Sequence, residues 1–340
     1  AFGTAHRAHA STARIAEFAP RVAAGLLMEK EVTYLGLALD PDLVILGGSK
    51  VSDKLPIINN LLERMRPGKS IRIAGAMAYT FLRAQGKPVG NSLVEHDLIH
   101  TATEILDRAA QKGIRILLPV DHTIADDLDN PTQISVVSAD DGIPGGMMGT
   151  DIGPQTIEQL RQNIRDAKTI FWNGNVGASD KRPEFAKGDT AVAQGMAEAT
   201  EHGATTIVGG GDTPIAVANA GFKGKLSHES TGGGASTEFI ETQGDLPGSS
   251  SLKGNTDTVG RRVRRAYYRF LYYAIWREYR VFYEPPQKVA INGAGQTAKP
   301  ALIELLKDPE VQVVAVNGVR FKGDADEHGR VIDDLERTSE

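Results

Sequence analysis

The 340-residue chain contains no cysteine. Disulfide bonds, thiolate nucleophiles and metal sites with cysteine ligands are therefore excluded. The absence fits a protein of a reducing compartment, and we expect a cytoplasmic location. Aromatic residues are also scarce, and nine of the 20 fall within one late segment, Arg261–Tyr283.

Long hydrophobic runs are missing as well. No apolar stretch approaches the roughly 20 residues that span a bilayer, and the N-terminus lacks the charged-then-apolar pattern of a signal peptide. We therefore expect no membrane partner. The formal net charge of -5 gives no global attraction to nucleic acid, so a nucleic-acid partner is not expected either. A monomer is the default expectation.

A Walker A motif is also absent. Pro67–Ser70 supplies Gly-Lys-Ser, but Glu63 stands where the first glycine of that motif belongs. A P-loop fold is therefore not expected, and any glycines that cradle a phosphate must lie elsewhere in the chain.

Short apolar runs alternate with helical periodicities after a first helical region, Ala13–Leu39, in which Pro20 predicts a bend. This alternation predicts an α/β fold with a doubly wound, mostly parallel sheet and helices on both faces. The expected strands are Leu43–Leu46, Ser70–Ile73, Ile114–Val120, Ile134–Val137, Thr169–Trp172 and Thr205–Val208. The expected helices are Leu55–Met65, Ala78–Gln85, Leu93–Gln111, Pro154–Asp166, Thr190–His202 and Ile215–Asn219.

The stretch Leu43–Lys54 passes from an apolar strand through Gly47-Gly48 to two lysines, Lys50 and Lys54. If a helix follows the turn, its start offers unpaired N–H groups and the positive end of a dipole, and the lysines add charges suited to phosphate. The same pattern occurs in α/β domains that bind no phosphate. Taken alone, the stretch therefore favours an anion site no more than a purely structural role.

Further glycine-containing turns follow the predicted strands or begin helices. They are Ala74–Ala76, Asn173-Gly174, Gly209–Thr213 and Thr231–Ser236. Ligands of parallel sheets bind beyond the carboxyl ends of the strands. One crevice could therefore collect several sets of backbone N–H groups around a polyphosphate.

Eight segments combine these turns with other motifs in a distinctive order and spacing. They are Ala1–Thr12, Gly47–Lys54, Met77–Phe81, Asp151–Pro154, Trp172–Gly174, Phe185–Gly188, Gly209–Thr213 and Ser230–Ser236. Together they closely resemble phosphoglycerate kinase over residues 1–248. The resemblance implies a Rossmann-like C-terminal domain that holds Mg-ATP, an N-terminal domain that holds 3-phosphoglycerate, and reversible phosphoryl transfer between 1,3-bisphosphoglycerate and ADP in glycolysis.

The resemblance also implies roles for individual residues. Lys50 would steady the transferring phosphoryl group, with the N–H groups of Gly232 and Gly233 as further donors. Asp212 would hold Mg²⁺, and the guanidinium of Arg7 would bind the phosphate of the acid substrate. The remaining residues of the nucleotide site would be Gly48, Ser49, Lys54, Gly75, Asn173, Asp180, Gly210, Gly211 and Thr213.

The chain departs from the family at the adenosine side and at its start. Asn175 replaces the proline of the Trp-Asn-Gly-Pro turn, and Ala178-Ser179-Asp180 replaces Val-Phe-Glu, whose glutamate meets the ribose. Ala1 aligns inside the family's N-terminal domain, so most of the sheet that seats 3-phosphoglycerate is not in this sequence. An active kinase would need that half to be supplied. The alternative is a catalytically inactive nucleotide-binding remnant or a fusion product.

The segment Arg261–Tyr283 does not resemble the kinase. It combines seven arginines with nine aromatic residues. Such a composition suits a helix packed on a neighbour or a joining sequence, and it also suits an interaction module that stacks on RNA or recruits a partner. We favour the first reading.

A second βαβ pattern follows. The predicted strands Val289–Ile291 and Val311–Val316 flank Gly293–Ala298, a Gly-x-Gly-x-x-Ala dinucleotide turn. The segment resembles the start of glyceraldehyde-3-phosphate dehydrogenase, but Gly318 stands where that family has its ribose-binding aspartate. At most weak NAD binding is expected here, and dehydrogenase activity is excluded because the nucleophilic cysteine is lacking.

These patterns divide the chain into four predicted regions. Residues 1–39 are a remnant of the substrate domain with the interdomain helix, and residues 40–248 are the nucleotide-binding domain. Residues 249–286 are a linker with the Arg- and aromatic-rich helix, and residues 287–340 are a partial dinucleotide-binding βαβ fragment with an acidic tail.

Overall fold

The structure, a computed structural model, describes residues 2–19, 22–252, 287–292 and 311–316. The chain divides into two compact units, one of residues 1–33 with 245–340 and the other of Tyr34–Gly244. Arg261–Tyr283, the Gly293–Ala298 turn and the acidic tail lie outside the described residues. The four predicted regions therefore stay a prediction.

Helices and strands follow one another along most of the described chain. The strands are β1 (Ala23–Ala24), β2 (Leu43–Leu46), β3 (Ser70–Ile73), β4 (Arg115–Leu117), β5 (Asp121–Ala125), β6 (Ile134–Ser138), β7 (Met148–Ile152), β8 (Thr169–Asn173), β9 (Thr205–Gly209), β10 (His228–Glu229), β11 (Gln287–Asn292) and β12 (Val311–Val316). The α-helices are α1 (Ile15–Phe18), α2 (Leu26–Leu37), α3 (Leu55–Arg64), α4 (Met77–Ala84), α5 (Ile99–Gln111), α6 (Pro154–Asp166), α7 (Lys187–Glu201), α8 (Thr213–Asn219), α9 (Gly234–Glu241) and α10 (Pro247–Ser250).

A six-stranded sheet forms the centre of the larger unit, with the strand order β10-β9-β8-β2-β3-β4. Every neighbouring pair in it is parallel. The predicted α/β fold with a mostly parallel sheet is confirmed. β2 lies in the middle of the sheet, so the turn that follows it has strand ends on both sides.

The central strands of the sheet are buried on both faces, which explains the continuous apolar run Leu43–Leu46 of β2. All four residues of β2 and of β3 are buried. On one face, Trp172 of β8 packs in a cluster with Ile164 of α6 and Met196 of α7, and all three side chains are fully buried. Burial of such large side chains stabilises the sheet and fixes the position of its carboxyl edge.

A second, three-stranded sheet has the order β6-β5-β7, and both of its pairings are antiparallel. The predicted strand Ile134–Val137 belongs to this sheet as β6 and not to the parallel one. β5 and β7 were not predicted, because their sequences, Asp-His-Thr-Ile-Ala and Met-Gly-Thr-Asp-Ile, lack an apolar run. Tertiary burial overrides that local polarity, and all five residues of β5 are buried.

Helix starts differ more from expectation than helix ends. α6 has the predicted bounds, but α5 begins at Ile99, after a 3-10 turn at His96–Leu98, and not at Leu93. α7 begins at Lys187, three residues before the predicted Thr190. Its first turn is stabilised by the Asp151 carboxylate, which accepts the Gly188 N–H at 2.8 Å.

The smaller unit contains a parallel sheet of order β1-β11-β12. β11 and β12 include the two strands of the predicted βαβ fragment, whose connecting turn and helix lie outside the described residues. The first helical region is divided, as Pro20 predicted, into a π-type turn with α1 and then α2. Among the helices that the structure describes, none is both long and apolar enough to cross a membrane.

Candidate phosphate-binding edge

The predicted glycine turns lie along one edge of the six-stranded sheet. Gly47 follows β2, Gly75 follows β3 and Gly174 follows β8, and these three strands are adjacent in the order β8-β2-β3. The Gly210 turn follows β9, and the Gly232 turn follows β10. Because all these strands are parallel, their carboxyl ends meet on the same side. The structure therefore brings the five turns together as predicted.

The turns interlock through their backbones at distances that exclude side chains. The Gly48 N–H donates to the Asn175 carbonyl at 2.9 Å, and the Gly48 carbonyl accepts the Met77 N–H at 3.1 Å. Gly75 has a φ of +64°, and a Cβ there would lie 2.5 Å from the Gly48 oxygen. Gly174 has a φ of +91°, and a Cβ there would lie 2.3 Å from the Gly47 oxygen. Glycine is required at these positions because only it combines positive φ with such close approach.

Lys54 reaches this edge from the end of a 3-10 turn, Ser52–Lys54. Its Nζ donates a short hydrogen bond to Oδ1 of Asn173, the last residue of β8. Burial lowers the pKa of the Lys54 ammonium, and the negative charges of Glu241, Asp53 and Asp212 oppose that shift. The side chain is thus a half-buried cation held against the strand ends by a neutral amide.

Asn173 is almost fully buried and acts as a junction. Its Nδ2 donates to the Gly209 carbonyl at 2.9 Å and to Thr237 Oγ1 of α9 at 3.3 Å. The amide thereby joins Lys54, the end of β9 and the start of α9. The family resemblance assigns Asn173 to the nucleotide site, and that role stays a prediction.

Ser49 and Lys50 lie exposed just after Gly48. The N–H groups of the next two residues, Val51 and Ser52, donate to one carboxylate oxygen of Glu95, and the Ser52 hydroxyl donates to the other at 2.6 Å. The expectation of unpaired N–H groups at this helix start is therefore wrong, because Glu95 caps them. No local sequence signal could have indicated a partner more than 40 positions away.

Asp212 and Thr213 begin α8 at the end of the β9 turn. Asp212 is exposed and makes no side-chain capping bond, whereas Thr213 is buried and its Oγ1 accepts the Gly174 N–H at 2.8 Å. The side chain of Thr213 therefore braces two turns. Glycine is required at position 210, because φ is +101° and a Cβ there would lie 2.7 Å from Asn173 Nδ2. At Gly211 the position of the missing Cβ is open.

The last turn contains the predicted catalytic glycines. The Gly232 N–H already donates to the Ser230 hydroxyl at 3.1 Å. Gly233 precedes α9 with a φ of +53°, and the space next to its Cα is open. Ser236 joins this turn to the neighbouring one, because its Oγ accepts the Gly210 N–H at 2.9 Å and donates to the Gly233 carbonyl at 2.7 Å. Sequence reasoning missed this serine, although it lies within a recognised motif.

Two further predicted residues do not belong to these turns. Asp180 is exposed on the loop between β8 and α7. Arg7 belongs to the smaller unit, where its side chain is exposed and its carbonyl accepts the Thr12 hydroxyl at 2.8 Å. In the part of the chain that the structure describes, no group of three or more acidic or histidine side chains could hold a metal ion. Asp212 is therefore a single carboxylate and not part of a metal cluster.

Strand ends, interlocked glycine turns, a half-buried lysine and an exposed aspartate define an α/β domain with a ligand edge suited to phosphates. Comparison with known proteins gives the particular family. The family model for phosphoglycerate kinase matches residues 1–243. The chain belongs to the phosphoglycerate kinase family.

Curated relatives include a phosphoglycerate kinase of Anaeromyxobacter sp., which is 50% identical over 258 residues, or 75% of this chain. A phosphoglycerate kinase of Chlorobaculum tepidum is 48% identical over 74% of this chain. The chain spans 63% of the length of each of these relatives. A solved structure of phosphoglycerate kinase from Coxiella burnetii matches with a TM-score of 0.69 and 38% identity, over 74% of this chain and 64% of the other.

Proposed function

We propose that the carboxyl edge of the six-stranded sheet binds the phosphates of Mg-ADP and Mg-ATP. The observation that carries this proposal is the position of Lys54, half-buried among interlocked glycine turns and held by Asn173. A lysine kept in a partly desolvated place gains more from a phosphate than an exposed one does, because the surrounding dielectric is low. Membership of the family supports the same ligand.

Other residues at the edge have complementary roles in this proposal. Lys50 is exposed and can follow a phosphoryl group as it moves, while Gly233 presents its backbone at the start of α9. Gly211 leaves room for a phosphate to approach the backbone, because nothing lies within 4 Å of the position of its missing Cβ. These are the positioning and charge-stabilising contributions on which phosphoryl transfer depends.

Asp212 fits the role of magnesium ligand. Mg²⁺ is commonly bound through one or two carboxylates together with substrate phosphates and water. One exposed carboxylate at the edge, without a cluster of acidic partners among the described residues, matches that requirement. When bound, the ion would neutralise charge on the β- and γ-phosphate oxygens.

We further propose phosphoglycerate kinase chemistry, the reversible phosphoryl transfer between 1,3-bisphosphoglycerate and ADP in glycolysis, for the protein that contains a complete acid-substrate half. Arg7 would contribute to the seat for 3-phosphoglycerate. The nucleotide half steadies the moving phosphoryl group through Lys50, and the acceptor must come from the other half. A cytoplasmic, monomeric enzyme is the expected form.

Titration calorimetry with Mg-ADP tests the nucleotide site. Lys54→Met keeps the length of the side chain and removes its charge, and we expect the Kd to rise about 10- to 100-fold, since a hydrogen bond to a charged group contributes roughly 1.5–3 kcal/mol. Lys112→Met is the matched control, because Lys112 is exposed and precedes β4, at the opposite edge of the sheet. Equal affinities of the two variants would refute the assignment of Lys54.

The alternative function is a nucleotide-binding remnant without catalysis. The chain spans 63% of the length of its relatives, so the choice between the two functions needs an assay. A coupled assay with 3-phosphoglycerate and Mg-ATP separates the two, first with the chain alone and then with the missing half of a relative added in trans. Turnover that disappears in Lys50→Ala supports the kinase, and no turnover in either mixture supports the remnant.

For the C-terminal segment, we propose at most weak NAD binding. The parallel pairing of β11 with β12 supports a βαβ arrangement, and the resemblance to the start of glyceraldehyde-3-phosphate dehydrogenase stays a prediction. Fluorescence titration with NADH tests it directly. A signal that persists in Gly293→Val would show that this turn is not the site.

A further inference from the structure

Two buried carboxylates hold the loop that runs from Gly174 to Gly188. Asp189 of α7 is 2% exposed, and Asp151 of β7 is 3% exposed. The Asp151 carboxylate accepts the N–H groups of Ile152 and Gly188, each at 2.8 Å. A Cβ on Gly177 would lie 2.5 Å from Asp151 Oδ1, so the loop backbone lies directly on this carboxylate.

Asp189 connects this loop to the phosphate-binding edge. One of its oxygens accepts the Val176 N–H at 2.7 Å, and the other accepts a short hydrogen bond from the Ser179 hydroxyl. Ser179 Oγ in turn accepts Nδ2 of Asn175 at 3.1 Å. The carbonyl of Asn175 accepts the Gly48 N–H at 2.9 Å, which completes the connection to the turn after β2.

The side chain of Asn175 depends on this connection. Its Oδ1 is buried and has no hydrogen-bond partner among the described residues, so the bond to Ser179 orients the amide. The same loop carries Asp180, which is exposed and directly follows Ser179. The Asp189 carboxylate thus fixes both the turn that contacts Gly48 and the segment that presents Asp180.

We propose that Asp189 is a positioning residue for the nucleotide site: its carboxylate holds Val176 and the Ser179–Asn175 pair so that the loop stays closed against Gly48. The inference deepens the proposed nucleotide-binding function and rests on it. Asp189 is not itself a ligand of the nucleotide, because it is buried beneath the loop.

The electrostatic surroundings make the connection sensitive to pH. The pKa of Asp189 is raised to about 6, mainly by burial and also by the negative charge of Asp180. The hydrogen bonds from Ser179 and Val176 lower this pKa and only partly offset the rise. Asp151, whose pKa burial raises to about 7, faces Asp189 from β7, and Tyr79 of α4 faces Asp151. These facing groups are acidic, so protonation of Asp189 relieves repulsion while it weakens the two bonds that hold the loop.

Trp172 gives a readout that needs no ligand. Its indole N–H donates to the Gly174 carbonyl at 2.8 Å, at the start of the loop. The chain has one other tryptophan, Trp276, and Trp276→Phe provides a background in which Trp172 is the only tryptophan. We expect its emission to change with a midpoint near pH 6, set by Asp189. This component should be absent in Asp189→Asn, which leaves only the titration of Asp151 nearer pH 7.

The binding experiment uses the same proteins. At pH 7.5 we expect Asp189→Asn to raise the Kd for Mg-ADP about tenfold over the parent, through loss of a charged hydrogen-bond acceptor. At pH 5 the two affinities should converge, because the parent has also lost the charge; protonation of ADP affects both proteins equally. Glu184→Gln is the control from the same loop, exposed and with its pKa lowered by Arg182, and it should behave as the parent at both pH values.

Ser179→Ala tests the connection even if Asp189→Asn does not fold. It keeps the carboxylate and its bond to Val176 but removes the link to Asn175, so the pH transition of Trp172 should remain while Mg-ADP binds more weakly. A Trp172 transition at pH 6 that persists in Asp189→Asn would overturn the proposal, as would unchanged Mg-ADP affinity in both variants. If no protein binds Mg-ADP but the transition still depends on Asp189, the loop connection stands and the proposed nucleotide function fails.

Discussion

His122 on β5 is a buried histidine whose titration should appear in the stability of the protein. It is 1% exposed, and its ring lies 5.3 Å from that of Tyr79. Burial lowers its pKa to about 4, and the charge of Asp121 only partly opposes this. Between pH 4 and the ordinary value of 6.5, the unfolded chain therefore binds a proton that the folded protein does not, and stability falls as the pH falls.

The magnitude follows from the two pKa values. A pH of 5 lies about 1.5 units below the pKa of the histidine in the unfolded chain. Proton binding therefore stabilises the unfolded chain by about 2 kcal/mol, at roughly 1.36 kcal/mol per unit. The folded histidine is still neutral at that pH and gains almost nothing. From pH 7 to pH 5, His122 alone should therefore lower the free energy of unfolding by about 2 kcal/mol.

Urea denaturation followed by circular dichroism, at pH 7 and pH 5, measures this effect in the parent and in His122→Gln. The comparison is needed because Asp151 and Asp189, with pKa values raised by burial, take up protons in the same range and act in the opposite direction. They do so in both proteins, so the difference between parent and variant isolates His122. From pH 7 to pH 5, the free energy of unfolding of the parent should fall by about 2 kcal/mol relative to that of His122→Gln. Parallel pH dependences would refute the reasoning.

Substitutions at three further positions follow from packing and capping. Gly149→Ala should destabilise the protein by roughly 1–3 kcal/mol in thermal or urea unfolding, because its Cβ would lie 1.8 Å from the Tyr79 hydroxyl; Gly36→Ala, in a helix with open space, should instead stabilise it by roughly 0.5–1 kcal/mol. Equal effects of Gly149→Ala and Gly36→Ala on stability would contradict the close contact of Gly149 with Tyr79. Glu95→Ala should cost about 1 kcal/mol in the same assay and weaken Mg-ADP binding, since the Val51 amide loses its cap, and Glu95→Gln should restore part of both. An unchanged affinity of Glu95→Ala for Mg-ADP would show that the Glu95 cap does not support the nucleotide site.

Local sequence determined the parts of the fold that depend on continuous patterns. β2 and β3 have the predicted bounds because each is a short strand with isoleucine or other branched apolar residues followed by a glycine turn, and α6 has them because Gly153-Pro154 marks its start. β5 and β7 could not be predicted, because they lack an apolar run and several of their polar residues bond to partners distant in the chain. The Asp121 carboxylate, for example, accepts the Thr156 N–H and hydroxyl from α6.

The candidate site shows the same division. Its glycine turns were predictable, because positive φ and close backbone approach leave a clear signature in the sequence. The connections between them were not. Glu95 caps the segment after Lys50 across 44 positions, and Asn173 bonds to Gly209 across 36. Asp189 supports Asn175 through Ser179, which is 10 positions away in a loop without a regular period. For this reason the predicted anion site at Leu43–Lys54 was wrong in one respect. The N–H groups of Val51 and Ser52 are not unpaired, because Glu95 caps them.

The most direct test of the central claim is to locate Mg-ADP on the sheet by amide NMR of the protein labelled with ¹⁵N-glycine. The account predicts shifts at Gly48, Gly211 and Gly233, which lie at the carboxyl ends of β2, β9 and β10. Gly68 and Gly113, which precede β3 and β4 at the opposite edge, should not move. Shifts confined to that opposite edge, or no shift at millimolar nucleotide, would contradict the assignment of the carboxyl edge as the phosphate site.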